Sequence, residues 1–155
     1  MKCRTLALCA LFAGFAVMAR AQAPGSFTLN CNPNLITYPF DATQEISTHT
    51  CTTDAVINGV PFRGLTFSSY AQATKTGSSN WGVIVGTLAN GDEVFFEFHA
   101  DWLATSSVSS TGTTTYKIIG GTGAATGITG SGTCKDTALQ GKGNEMACVG
   151  AYVTR

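Results

Sequence analysis

No stretch of this chain sustains a helical period. Short β-prone runs follow one another instead, separated by glycine, proline, asparagine, aspartate and serine. They lie at Phe27–Cys31, Leu35–Phe40, Gln44–Thr52, Phe62–Ala73, Trp81–Leu88, Glu93–Trp102, Thr113–Ile119, Thr126–Lys135 and Glu145–Val153. So many short strands in one small domain leave two architectures, a sandwich or a barrel. The run Glu93–Trp102 shows its two faces clearly. Val94, Phe96, Phe98, Ala100 and Trp102 fall on one side, and Glu93, Phe95, Glu97, His99 and Asp101 on the other, because strand side chains alternate. The first row should face a core or a barrel interior; the second should face water, a partner subunit or a polar site. Leu88-Ala89-Asn90-Gly91-Asp92 is the clearest hairpin, and its Asn-Gly pair predicts a type I′ turn. Thr105–Thr111 and Gln140–Asn144 read as exposed loops.

The first residues have the layout of a secretory signal. Lys2 and Arg4 precede an apolar run from Leu6 to Met18, which is too short to span a bilayer, and Ala19-Arg20-Ala21 offers small residues for cleavage. Cleavage after Ala21 is expected; cleavage after Ala23 would leave Pro24 in the first position. Residues 1–21 are therefore assigned to a cleaved leader and 22–155 to one domain, placed outside the cell or in a periplasm. Loss of Lys2, Arg4 and Arg20 leaves six basic residues against nine acidic ones, a net charge near −3. No basic patch matches a phosphate backbone, which argues against nucleic-acid binding. No later apolar run is long enough to span a membrane.

Four cysteines follow the leader: Cys31, Cys51, Cys134 and Cys148. In an oxidising compartment they imply two bridges, for which three connectivities exist. Cys31 with Cys51 and Cys134 with Cys148 are favoured, since each pair falls on neighbouring strands joined by a connection. A zinc site would call for closer CxxC-type spacing, so no metal or other cofactor is expected.

Glu97, His99 and Asp101 form the one obvious titratable constellation. Successive members lie about 7 Å apart on a strand face, close enough for a carboxylate to tune the imidazole. Simple alternation on a solvated face accounts for the same pattern. His49 and Cys51 share a face of another run, but oxidation of the cysteine argues against a metal there. No Gly-x-Ser-x-Gly elbow is present, and no free thiol is expected. Arg63 is the lone arginine in the body of the mature chain, aside from the terminal Arg155.

The glycine-rich stretch Tyr116-Lys-Ile-Ile-Gly-Gly-Thr-Gly-Ala-Ala-Thr-Gly-Ile-Thr-Gly-Ser-Gly-Thr-Cys134 raises the possibility of a nucleotide loop. Gly121 and Gly123 supply half of a dinucleotide fingerprint, but Thr126 stands where the third glycine belongs. The sequel is β-branched and glycine-studded, a poor helix. A strand, a tight reversal and a second strand fit better. In the second strand, Ile128, Gly130, Gly132 and Cys134 share a face, leaving room for a neighbour's ring or a sharp bend.

Ile119-Gly120-Gly121-Thr122-Gly123, followed by Gly127-Ile128-Thr129-Gly130-Ser131-Gly132-Thr133, resembles the allene oxide cyclase-like and dirigent-like barrel families. The likeness covers Trp81 to Val153, including the Asn90-Gly91-Asp92 hairpin and the last run; Cys31 to Lys75 matches no motif. It implies an eight-stranded antiparallel β-barrel, calycin-like and here closed by two disulfides. It also implies a lumen able to hold an apolar small molecule, and assembly into homo-oligomers. It carries over no catalytic residue. Three functions follow as expectations: lumen binding of a small apolar ligand, with Phe96, Phe98 and Trp102 as lining; an isomerase or cyclase acting by confinement, with Glu97, His99 or Asp101 handling protons; and a structural or protein-binding module.

Overall fold

The computed structural model describes residues 20–21, 25–32 and 36–154. The expected leader, apart from Arg20 and Ala21, lies outside the described residues, as does Leu35. The chain runs through β1 (Arg20–Ala21), β2 (Gly25–Cys31), β3 (Ile36–Pro39), β4 (Gln44–Thr53), β5 (Val56–Ile57) and β6 (Val60–Ala73). It continues through β7 (Gly77–Leu88), β8 (Glu93–Ala104), β9 (Ser109–Gly121), a 3-10 turn (Gly123–Ala125), β10 (Thr129–Leu139) and β11 (Gly143–Thr154).

Eight of these strands close into one antiparallel barrel. From β4 the ring passes through β6, β7, β8, β9, β10 and β11 to β2, which pairs again with β4. The expected eight-stranded barrel is therefore the observed architecture. Most seams run nearly the full strand length: all of β10, from Thr129 to Leu139, pairs with β11. The closing seam is much shorter, joining Leu29–Cys31 only to Thr53–Cys51. Beyond it, β3 takes over the same edge of β4, setting Ile36–Pro39 against Thr48–Glu45. The two-residue β1 pairs with the end of β11.

Both disulfides bind partners that sit directly across a seam. Cys31 bonds Cys51 and Cys134 bonds Cys148, each with α-carbons 3.9 Å apart. The first lies in the short closing seam. All four sulfur-bearing side chains are buried in the interior.

The turns depart from the sequence reading in an instructive way. A type I′ turn does occur, but at Asn58-Gly59 in the β5–β6 hairpin, where both residues take positive φ (51° and 80°). At Asn90-Gly91 only the glycine does so, with φ of 90°. Gly91 N donates to Leu88 O (2.9 Å) and Leu88 N to Asp92 O (2.8 Å). This is the three-residue loop, a type I turn followed by a left-handed glycine. The Asp92 side chain explains the longer loop, because it is recruited elsewhere. Its Oδ2 accepts from Ala124 N and from Asn90 Nδ2, both at 2.9 Å. Thr122 completes the staple: its Oγ1 accepts from Glu93 N (2.8 Å) and its N donates to Glu93 O (2.9 Å).

The Gly-Gly-Thr-Gly segment thus fastens the β9–β10 connection across the β7–β8 hairpin. Gly121 has no space for a side chain, since a Cβ there would stand 2.7 Å from both Ala125 O and Glu93 O. Inside this staple, Leu88, Val94, Ala125 and Ile128 are almost wholly buried and stopper that end of the barrel. The expected strand from Thr126 accordingly starts only at Thr129, after the 3-10 turn. Ser109–Thr111 and Gly143–Asn144, expected in loops, are strand, because paired neighbours extend the ladder past the β-prone core of each run.

Glycines on the inner face receive aromatic rings. A Cβ on Gly132 or Gly150 would strike the Tyr116 hydroxyl, and one on Gly112 would lie 2.9 Å from Trp102 Cδ2. Packing of this kind punishes added volume, typically by about 1–3 kcal/mol. Gly150→Ala should therefore lower stability by an amount in that range. Tyr116→Phe, in the same background, should recover part of the loss. Additive effects in a denaturant double-mutant cycle would refute this packing. Removal of the Cys31–Cys51 bridge by paired alanines should cost about 3 kcal/mol and sharply raise amide exchange at Leu29–Cys31. Alanines at Cys134 and Cys148 should leave that seam protected.

Candidate functional site

Alternation directs every odd-numbered residue of β4 from Glu45 to Cys51 inward, together with Phe67, Ser69 and Ala71 of β6 and Asn80, Gly82 and Ile84 of β7. The even-numbered residues of β8 and β9, such as Phe98 and Thr114, continue this inner face round the ring. Two lumen compartments result. The end away from the stopper holds a cavity of about 570 Å³, rimmed by the β8–β9 and β10–β11 loops. Its walls mix Phe67, Phe98 and Trp102 with Glu45, His49 and Asn80. Nearer the stopper lies a smaller cavity of about 200 Å³, lined mainly by apolar groups such as Leu65, Ile84, Phe96 and Ile118. Thr114 and Met146 line both compartments and mark where they meet.

The polar groups of this lumen are incompletely satisfied. Ser47 and Ser69 pair with each other through their hydroxyls at 2.8 Å, and Thr114 Oγ1 donates to Asp136 Oδ2 at 2.6 Å. His49 Nδ1, Asn80 Oδ1 and Asp136 Oδ1 are buried and have no hydrogen-bond partner among the described residues. Such groups each cost about 1–3 kcal/mol when left unpaired, so a wall that keeps them suits a polar ligand atom. His49 stacks on Phe67, with ring centroids 4.9 Å apart and planes inclined by 15°. Burial holds its pKa below the ordinary histidine value, so the imidazole is neutral at neutral pH. Burial likewise pushes the Asp136 carboxyl up to about 6, against the opposing pull of the Thr114 hydroxyl. The Tyr116 hydroxyl, desolvated in the inner compartment, rises to about 12.

The residues singled out from sequence divide cleanly. Phe98 and Trp102 line the larger compartment and Phe96 the smaller one. Glu97, His99 and Asp101 stand on the outer wall. Glu97 lies 3.4 Å from Lys117, and Ser79 Oγ bridges His99 Nε2 (3.1 Å) and Asp101 Oδ1 (2.7 Å), all in exposed positions. They cannot reach a molecule inside the barrel. His49 sits with Cys31 and Cys51, their potential ligand atoms within 4.8 Å of one another, but both sulfurs are consumed by the disulfide. Asp136, Asn80 and Glu45 were not singled out. Asp136 had a readable signal: it stands two residues beyond Cys134, so a buried bridge at Cys134 places its side chain on the inner face.

A carboxyl whose folded pKa is raised is favoured in its protonated form. The folded state then binds more protons than the unfolded one between pH 3.8 and about 6, and stability falls as pH rises through that window. The loss amounts to about 3 kcal/mol for a shift of this size. His49 acts in the opposite sense, its lowered pKa removing stability as pH falls below the ordinary histidine value. Subtracting the profile of Asp136→Asn from that of the parent isolates the first effect. The variant should gain stability at pH 7 and lose the Asp136 slope between pH 4 and 6 in urea titrations; parallel profiles would contradict it.

No protein-family model matches this chain, and no curated protein sequence does either.

Proposed function

We propose that this protein is an exported barrel that binds a small molecule in its lumen. The observation that carries the reading is the cavity of about 570 Å³ whose wall joins aromatic rings to the unpartnered His49 Nδ1 and Asn80 Oδ1. Binding sites of this size combine an apolar lining with a few placed polar groups. A ligand would pass the loop-rimmed end, seat its apolar body on Phe67, Phe98 and Trp102, and present polar atoms to His49 and Asn80. Two buried disulfides support folding in an oxidising compartment. Kinship with the allene oxide cyclase-like and dirigent-like barrels is proposed with it, supported by the Gly-Gly-Thr-Gly staple at the stoppered end.

A second reading, confinement catalysis, draws on one observation. Asp136 holds a carboxyl beside the lumen-lining Thr114, and burial raises its pKa to about 6. Glu97 and His99, on the outer wall, have no part in it.

The binding reading is tested with N-phenyl-1-naphthylamine, a neutral fluorophore that brightens in apolar surroundings. One equivalent should bind with a saturable rise in emission. Ala104 lies exposed at the rim of the larger compartment, so Ala104→Trp should block the opening and abolish the rise without altering the far-ultraviolet spectrum. Absence of binding, or equal binding by the blocked variant, would overturn the proposal.

A further inference from the structure

The charge on the lumen wall narrows the class of ligand. Among the described residues no lysine or arginine lines the larger compartment; Lys75 and Lys142 belong to the loops at its rim and are not part of the lining. Glu45 is the only acidic residue of that lining, and His49 is neutral there at neutral pH. A ligand carboxylate or phosphate would enter without a cation to pair with and would meet Glu45. A purely apolar ligand would leave Asn80 Oδ1 and His49 Nδ1 unpaired and would strip water from Glu45.

Register adds the geometry. Glu45 pairs across to Ala71, and Ala71 to Asn80, so the three stand in one row across adjacent strands. With a strand spacing near 4.8 Å, the outer two α-carbons lie about 10 Å apart, and the concave wall turns their side chains toward each other. Ala71 contributes only a methyl group between them. A carboxylate and an amide oxygen, both acceptors, therefore flank a gap in which no described residue places a cation. On the next strand round the ring, Phe98 and Trp102 of β8 flank Ala100, the cross-strand partner of Asn80, and their ring faces attract positive charge.

Resting on the lumen-binding reading, we propose that the compartment selects organic ammonium ligands. The ammonium group sits between the Glu45 carboxylate and the Asn80 amide oxygen, and the apolar body sits on Phe98 and Trp102. An ammonium group has three donors and no acceptor, which matches this pair of acceptors. Partial burial reduces the screening of this attraction by water and salt. Asp136, behind Thr114, is the other acidic group on the lumen side; its ionisation adds attraction above about pH 6.

Three ligands of one shape separate the classes: 2-phenylethylammonium, 2-phenylethanol and phenylacetate, each competed against N-phenyl-1-naphthylamine at pH 7 and low salt. The ammonium should bind at least about tenfold more tightly than the alcohol, with phenylacetate weakest. Glu45→Gln should bring ammonium and alcohol within about twofold of each other. Asn80→Ala should weaken both. In the unmutated protein, added salt should erode the ammonium preference but not the alcohol affinity, which keeps the test decisive if a variant misfolds. If the fluorophore binds but the alcohol or phenylacetate matches the ammonium, or none competes, the ammonium inference falls and lumen binding stands. If neither fluorophore nor any of the three binds, both fall.

Discussion

Closure of the sheet is the constraint on which the rest of this molecule depends. A sheet of eight strands can bury its inner face only if the last strand finds the first, and that joint is the weakest part of the ring. The β2–β4 seam is confined to Leu29–Cys31 and Thr53–Cys51, whereas β10 is paired along its whole length. Backbone hydrogen bonds over so short a ladder contribute little beyond the entropy of joining distant segments. The Cys31–Cys51 bridge sits at this joint and holds it shut covalently. Without closure there is no lumen, no inner face and no reason for His49, Asn80 or Asp136 to be buried.

Closure also dictates where glycine must stand. Eight strands leave an interior just wide enough for side chains, so large rings on one wall require missing side chains on the next. Tyr116 over Gly132 and Gly150, and Trp102 against Gly112, are such pairs. They divide the interior unevenly. At the stoppered end Leu88, Val94, Ala125 and Ile128 complete an apolar core; toward the other end Ser47, Ser69, Ala100 and Asn80 are too small to meet across the lumen.

The fold was largely legible because period-two alternation survives translation into three dimensions. Phe96, Phe98 and Trp102 face inward as the pattern of β8 requires, and both cysteine pairs meet because strands that follow one another in sequence, or share the closing seam, are neighbours. Turn chemistry was less legible. Asn90-Gly91 and Asn58-Gly59 carry the same local signal, yet only the second forms the type I′ turn, since Asp92 is drawn into a contact with Ala124 that lies 32 residues away in sequence. The site was the least legible. Titratable residues clustered in sequence, Glu97, His99 and Asp101, share an outer face because alternation groups them there. The lumen groups come from β4, β7 and β10, strands far apart in sequence, and only strand pairing around the ring assembles them.

The uneven interior has an energetic logic. Each unpartnered buried polar atom subtracts stability, and His49, Asn80 and Asp136 together withdraw several kcal/mol, a large share of what a domain this size possesses. Such groups are tolerable only where other parts of the fold supply a surplus. Here the surplus is segregated from the cost. The stoppered end concentrates the fully buried aliphatic side chains and the Thr122–Glu93 staple, and two disulfides restrict the unfolded chain. The polar wall adjoins the opposite compartment, where water can exchange with a ligand. A barrel selected only for stability would fill that wall with leucine and valine. Retention of polar groups at the end left open, where a ligand could satisfy them, is the physical argument behind the lumen binding we propose.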